Sequence, residues 1–337
     1  MAFKRFDPED FVVSSDSITS TLWSTGNPTL TSFFTSSVQA AGSSGNYYIS
    51  VFQTSSLDVS AQVQFDIAYC DSLGSGSEWF NSAVPGNSYS KTMYGQYRSM
   101  ILEDENANFY FGAGTNIVTG SYFWAISMER ARYKQSLFPG SINLRLSGSG
   151  GIISLTDNSL DNPVSVFLGS TRVYQLISGS NGTAGSLSGG GYVAGSGSYG
   201  LVFPDLGTIL LNPLAISQSI RVAPSRSSNA DAFNQAKLYS SLVLAGSFGL
   251  NSQETITSDY VFVRARNSEF NYSENPSFIS GSTGEVIYDN FINNPQVYIT
   301  TIGMYNDSNN LLAVAKLSRP LLKDFTKEAL VRVKLDF

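Results

Sequence analysis

Any chemistry in this chain is left to carboxylates, to lysine or tyrosine, or to an oxygen-ligated cation. Asp66, Asp71, Glu103 and Glu269 are the acids a polysaccharide hydrolase would draw on, because glycoside hydrolysis sets one carboxyl group as acid and another as base or nucleophile across the scissile bond. The densest acidic cluster, Glu103-Asp104-Glu105 in LEDENANF, does not supply such a pair. Catalytic pairs converge from different strands, calcium loops space their ligands at alternate positions, and three adjacent acids on an extended chain point in different directions. A solvated turn is expected there, with weak cation binding left open. No spacing singles out two acids, so a hydrolase ranks last among the functions considered.

The chain has no histidine and one cysteine, Cys70. Ser-His-Asp and Cys-His nucleophile systems, the HExxH zinc site and the commonest general base are therefore absent, and a structural zinc has almost no ligands. No intrachain disulfide can form, which suits a reducing cytosol. The sequons at Asn181, Asn271 and Asn306 are then expected to be chance matches. GSGSYG (Gly195, Gly197, Gly200) has the letter pattern of a dinucleotide fingerprint, but it sits in a Gly/Ser run and Pro204 blocks the helix that would hold a pyrophosphate. No catalytic, cofactor-binding or metal-binding residue is expected, and no enzyme activity.

Two clusters offer recognition instead. MERARYK presents Arg130 and Arg132, bidentate donors to a partner's carboxylates or simply a solvated helix face. RARNSEFNYSENPSF combines Arg264, Arg266, Phe270, Tyr272 and Phe278, residue types that dominate protein interfaces and also pack in the edges of β-sandwiches.

The elements that would position these groups are strands. Of the 337 residues, 42% are hydrophobic and 13% aromatic, but only 14% are charged, against the roughly 25% of an ordinary soluble domain. Ser, Thr, Asn and Gly supply the polarity, which favours strands and turns over helices with Glu/Lys outer faces. AQVQFDIAYC puts Val63, Phe65 and Ile67 on one face, and the tail does the same with Val331, Val333, Leu335 and Phe337. From Trp23 to Val118 the pattern is repeatedly strand-like. MERARYKQSLF predicts a short helix stopped by Pro139-Gly140, and residues 229–246 predict the best helix, with Asn229 as its cap. The Gly/Ser-rich stretch 179–200 is expected to be a mobile loop or long hairpin tip. YITTIGMYNDSNNLLAVAKLSRP predicts a hairpin with Ile299, Thr301, Gly303 and Tyr305 on one face, Ile302 and Met304 on the other, and a second strand ended by Arg319-Pro320. Net charge is −6, so a nucleic-acid partner is not expected. No segment approaches the roughly 20 apolar residues of a membrane span. Asp7, Glu9 and Asp10 interrupt the apolar stretch a secretory leader would need.

Several segments carry a family likeness: KRFDPEDFVVSSDSITSTLW, YGQYRSMILEDENANFYFG, GSYGLVFPDLGTILLN, FVRARNSEFNYSENPSFISGSTGE and the run from FINNPQVYITT to the final KLDF. Together they resemble a family of virion structural proteins from contractile-tailed phages, of the cyanobacterial myovirus type. ITTIGMYNDSNNLLAVAKL also resembles a hairpin near attachment domains of tail fibre and baseplate proteins. The resemblance implies a baseplate wedge or periphery subunit, folded in the host cytoplasm and present in the virion in multiple copies or as a homo-oligomer. Its partners would be other tail proteins and tail fibres, with Tyr305 and Arg319 of the hairpin among the contacts. A receptor- or glycan-binding fibre component is the alternative, with Trp79 or Tyr192 stacking on sugar rings.

The expected fold is mainly β: antiparallel β-sandwich domains with a few short helices and long Gly/Ser-rich loops. The expected regions are a docking arm at 1–20, a β-rich domain at 21–140, a β-rich middle at 141–253 and a C-terminal β region at 254–337 packed on 21–140. The chain ends are expected to share a sheet.

Overall fold

A computed structural model describes residues 4–36, 47–77, 80, 83, 88–161, 166–185, 190–226, 233–273 and 275–336. Trp79 and Asn229 lie outside the described residues. The chain divides into a larger unit, Ile18–Glu254, and a smaller one, Met1–Ser17 with Thr255–Phe337. The mainly β, antiparallel class holds in both.

The larger unit is built on a sheet of twelve strands. Its path runs from Thr29–Leu30 through Ser247–Gly249, Asn143–Gly148, Gly151–Asp157, Thr171–Ser180, Gly200–Phe203, Thr208–Leu211, Tyr122–Met128 and Val63–Asp71 to Tyr48–Phe52. Residue 140 is therefore no boundary, since Tyr122–Met128 lies between Val63–Asp71 and Thr208–Leu211. Both faces of the sheet are covered. Phe65, Ile67, Trp124, Ile126, Ile209 and Leu211 point to one core, together with helices Pro213–Ile220 and Asn234–Val243. Their neighbours Cys70, Phe123, Ala125 and Leu210 point to the other, under helix Tyr89–Leu102 and hairpin Phe109–Gly120. Strands buried on both sides read as unbroken apolar runs such as Phe123–Ile126, without the alternation of a half-buried strand.

Helix Tyr89–Leu102 lies where the pattern looked strand-like. Its signal is Ser90, Tyr94, Tyr97 and Ile101, buried at helical spacing, with Tyr94 and Phe109 packed 5.2 Å and 5.1 Å from the Phe123 ring. Conversely, the helix expected over MERARYKQSLF is one 3-10 turn, Arg130–Arg132. Tertiary hydrogen bonds hold the following backbone extended: Lys134 N to Ser252 Oγ, Gln135 N to Gln253 O and Leu137 N to Pro204 O. The predicted helix at 229–246 is described over Asn234–Val243.

The glycine-rich stretch, where described, is buried at its end, residues 197–200, and exposed at several earlier positions. Gly197 has φ +73°, and a Cβ there would stand 2.2 Å from the Phe111 carbonyl oxygen. Its glycine serves a close backbone approach as well as the turn. Gly195 shares the φ of +73° but has no atom within 4 Å of its notional Cβ.

In the smaller unit, strand Asn251–Ala265 lies between Phe11–Thr21 and Ala329–Asp336, so the two ends of the chain do share a sheet. The expected arm is thus a strand from Phe11 onward. Hairpin Val297–Tyr305/Leu311–Lys323 forms the second sheet, and the two meet through Val261, Met304 and Val333 with Phe6, Val263, Ala313, Ala315 and Leu335. Val331, Val333 and Leu335 face inward as predicted, whereas Phe337 is outside the described residues. The ladder shifts between Ile299 and Thr301, which puts partly buried Ile299 in phase with Ile302 and Met304 instead of with exposed Thr301 and Gly303. Pro320 does not end the second strand. It falls in the same irregularity, between Lys316 and Leu321, where a missing amide hydrogen costs no ladder bond. Asn306–Asn310 closes the tip, with Asn310 N donating to Asn306 Oδ1 at 2.8 Å.

The two glycines separate backbone strain from contact. Gly195→Ala should cost about 1 kcal/mol, the left-handed backbone alone, and Gly197→Ala about 3 kcal/mol or more. Urea denaturation measures both, and equal losses would contradict the close approach to Phe111.

Candidate functional site

Four of the residues singled out for recognition fall together in the smaller unit. Arg264 is the last but one residue of strand Asn251–Ala265, and Arg266, Phe270 and Tyr272 lie on the turn that follows. Arg264, Arg266 and Tyr272 are exposed. The turn is held by its polar groups: Glu269 N donates to Arg266 O, while Glu269 Oε2 accepts from Arg266 N at 2.9 Å and from Lys4 Nζ at 3.0 Å. Lys4 also donates to Arg264 O at 2.7 Å. The Arg266 amide and then Lys4 hold the Glu269 carboxyl below its ordinary range. Phe270 takes a left-handed φ of +52° to let the chain reverse.

The anchor beneath this turn is Lys323, which is fully buried. Its ammonium donates to Asn271 Oδ1 at 2.6 Å, Asn267 O at 3.0 Å and Asp324 O at 3.0 Å, so its three hydrogens match three oxygens. Sequence reasoning missed both Lys4 and Lys323. A lysine at the end of an alternating strand reads as a solvated terminus, and only the fold shows that the turn folds over it.

The remaining recognition candidates do not join this group. Phe278 packs with Tyr288 and Phe291. Tyr305 stands beside the hairpin tip, and Arg319 is exposed in the irregular segment of the second strand. Arg130 and Arg132 belong to the larger unit. There the Arg130 guanidinium lies 4.6 Å from the Tyr133 ring centroid and donates to Tyr133 O at 2.7 Å, a local use that stiffens the 3-10 turn.

The acids considered for hydrolysis are held one by one. Asp71 is buried, pairs with Arg226 at 2.7 Å, and accepts from Tyr69 OH and Leu73 N; Arg226 in turn stacks 4.0 Å over the Tyr122 ring. Asp66 lies five positions along the same strand, roughly 16 Å away and on the opposite face. Glu103 ends helix Tyr89–Leu102 and accepts from Ser170 Oγ, and Glu269 braces the turn described above. Among the described residues no three His, Cys, Asp or Glu side chains gather as a metal site would require, and no helix is long and apolar enough to cross a membrane. No family model matches the chain, and neither a curated protein nor a solved structure does.

Replacing Lys323 by Met keeps an unbranched apolar stem and leaves three buried oxygens without their donor. The smaller unit should lose about 3 kcal/mol, with amide exchange accelerated first at residues 266–272. Unchanged exchange there would show that Lys323 does not hold the turn.

Asp66 has a buried oxygen without a partner, and burial raises its pKa, opposed by a Ser50 hydrogen bond and assisted by Glu129. A carboxyl whose folded pKa exceeds its unfolded one favours folding while protonated, and that advantage fades as pH rises from the ordinary range through the raised value. Asp66→Asn should therefore stabilise the larger unit above the carboxylate range by about 1 kcal/mol or less, and leave it unchanged at acid pH. Melting curves on both sides of that range test the sign.

Proposed function

We propose that this chain is a structural subunit of a contractile phage tail, at the baseplate wedge or periphery, which holds neighbouring tail proteins or fibres by protein–protein contacts. The family likeness supplies the station, and one structural feature supports the assembly role. Strand Phe11–Thr21 has almost every side chain exposed, including Phe11, Val12 and Val13. Ordering a residue costs about 1–2 kcal/mol, against a net gain of about 1 kcal/mol per backbone hydrogen bond, so a strand that buries little side-chain surface is marginal by itself. A partner that covers it changes that balance.

The two edges of the sheet differ in the same sense. Ala329–Asp336 carries Arg332, Lys334 and Asp336, charges that discourage pairing with another strand, whereas Phe11–Thr21 carries Asp16 alone. Arg264, Arg266 and Tyr272 add the residue types of an interface core and rim.

Light scattering on the protein alone and mixed with the tail proteins of its phage tests this proposal. A stable mixed complex is expected, lost or weakened at least tenfold, about 1.4 kcal/mol, by Arg264→Ala with Tyr272→Ala at unchanged melting temperature. Normal particle yield from that variant, or a homotrimer indifferent to tail proteins, would refute it. Amides of residues 11–21 should exchange quickly in the free chain and be protected in the complex.

A further inference from the structure

The smaller unit carries an open recess that the assembly role does not use. Phe278, Tyr288, Phe291 and Tyr298 line it, with Asn294 and Gln296 between them. The Phe278 ring stands nearly edge-on to Tyr288 at 5.9 Å and tilted against Phe291 at 5.5 Å, which fixes the two phenylalanines as a partly buried wall. Tyr288 and Tyr298 are 55% and 65% exposed, an unusual solvation for two aromatic rings on one depression. Backbone bonds hold the frame: Ile287 N to Phe278 O at 2.9 Å, Phe278 N to Asn275 O at 2.8 Å and Phe291 N to Tyr288 O at 3.0 Å. The site is thus preformed and asks for little ordering on binding.

We propose that this recess binds an uncharged hexopyranoside, a unit of a neutral polysaccharide. A pyranose ring presents a flat C–H face bordered by hydroxyl groups. Aromatic rings cover the face, and carboxamides both donate to and accept from hydroxyls, which a carboxylate or an ammonium cannot do. Among the described residues the lining has this composition and contains no Asp, Glu, Lys or Arg. Glu285 and Asp289 are exposed close to it in the chain, so an anionic sugar meets unfavourable charge. An open recess of this kind suits weak binding, multiplied where many copies face one surface.

Saturation-transfer NMR on the full chain, with methyl glucopyranoside, methyl galactopyranoside, maltotetraose and methyl glucuronoside as probes, tests the site. At least one neutral probe should show transfer, with its ring C–H protons most saturated and an affinity on the order of millimolar; the glucuronoside should show less. Tyr288→Ala and Tyr298→Ala should each weaken binding about tenfold or more, whereas Tyr298→Phe, which keeps the stacking face, should retain it. Tyr298 is exposed and is not part of the Phe278–Tyr288–Phe291 wall, so Tyr298→Ala should leave the melting temperature unmoved, and an unchanged melt with lost binding separates recognition from folding. Absence of transfer from every neutral probe, or full binding by the double alanine variant, overturns the proposal. Neither result bears on assembly with tail proteins, which the light-scattering experiment reads separately.

Discussion

The smaller unit depends on one constraint: strand Asn251–Ala265 must pair with residues from both ends of the chain, Phe11–Thr21 on one side and Ala329–Asp336 on the other. All but the ends of the larger unit, residues 22–250, lies in the sequence between Phe11–Thr21 and Asn251–Ala265. Closing so long a loop is less costly than it looks, because each doubling of loop length adds only about 0.6 kcal/mol. The closure is also easier once the intervening chain is folded. The larger unit can complete its own sheet first, since its ladders join mostly near neighbours such as Asn143–Gly148 with Gly151–Asp157 and Gly200–Phe203 with Thr208–Leu211. The smaller unit's sheet is complete only with Ala329–Asp336 in place.

Low charge has a visible consequence inside both units. Carboxamides take positions where other proteins use charged pairs or apolar fillers, and Asn234 and Asn212 use all their side-chain donors and acceptors. Asn234 is buried with its Oδ1 accepting from Ser225 N and its Nδ2 donating to Gly76 O and Ser225 O, while its carbonyl receives the Trp124 indole at 2.8 Å. Asn212 likewise donates to Ser196 O and Ser198 O and accepts from Leu214 N, which caps helix Pro213–Ile220 and closes the glycine-rich segment at once. Networks of this kind specify one arrangement of loops because any other leaves buried donors and acceptors unmatched. Lys323 is the charged version of the same device.

What was legible in the sequence follows from period and breadth of burial. Val63–Asp71 and the terminal hairpin were readable because β-branched and aromatic residues recur between clear breakers. Helix Tyr89–Leu102 was not, since Thr92, Gly95 and Ser99 on its outer side are weak helix formers and its buried set is tyrosine-rich. The turn at Arg130–Arg132 failed for the opposite reason: local propensity was helical, but bonds to Ser252, Gln253 and Pro204 are not written in the segment. Phe278 was noticed alone, whereas Tyr288 and Tyr298 acquire meaning only when the turn at 280–286 folds them beside it.

The balance of burial ties fold to role. The larger unit has two cores, each of many fully buried aliphatic and aromatic residues. In the smaller unit the buried cluster is Val261, Met304 and Val333, and large apolar side chains such as Phe11, Val13, Leu312 and Leu330 remain in solvent. A core of that size leaves little surplus over the entropy of ordering two sheets. Any ligand that binds only the folded form adds RT ln(1 + [L]/Kd) to its stability, so a partner laid over the exposed strands would order the unit and be held by it in the same step. The thin core and the bare edge then act in one direction: a partner covering the edge strand would add stability to a unit whose own buried cluster is small.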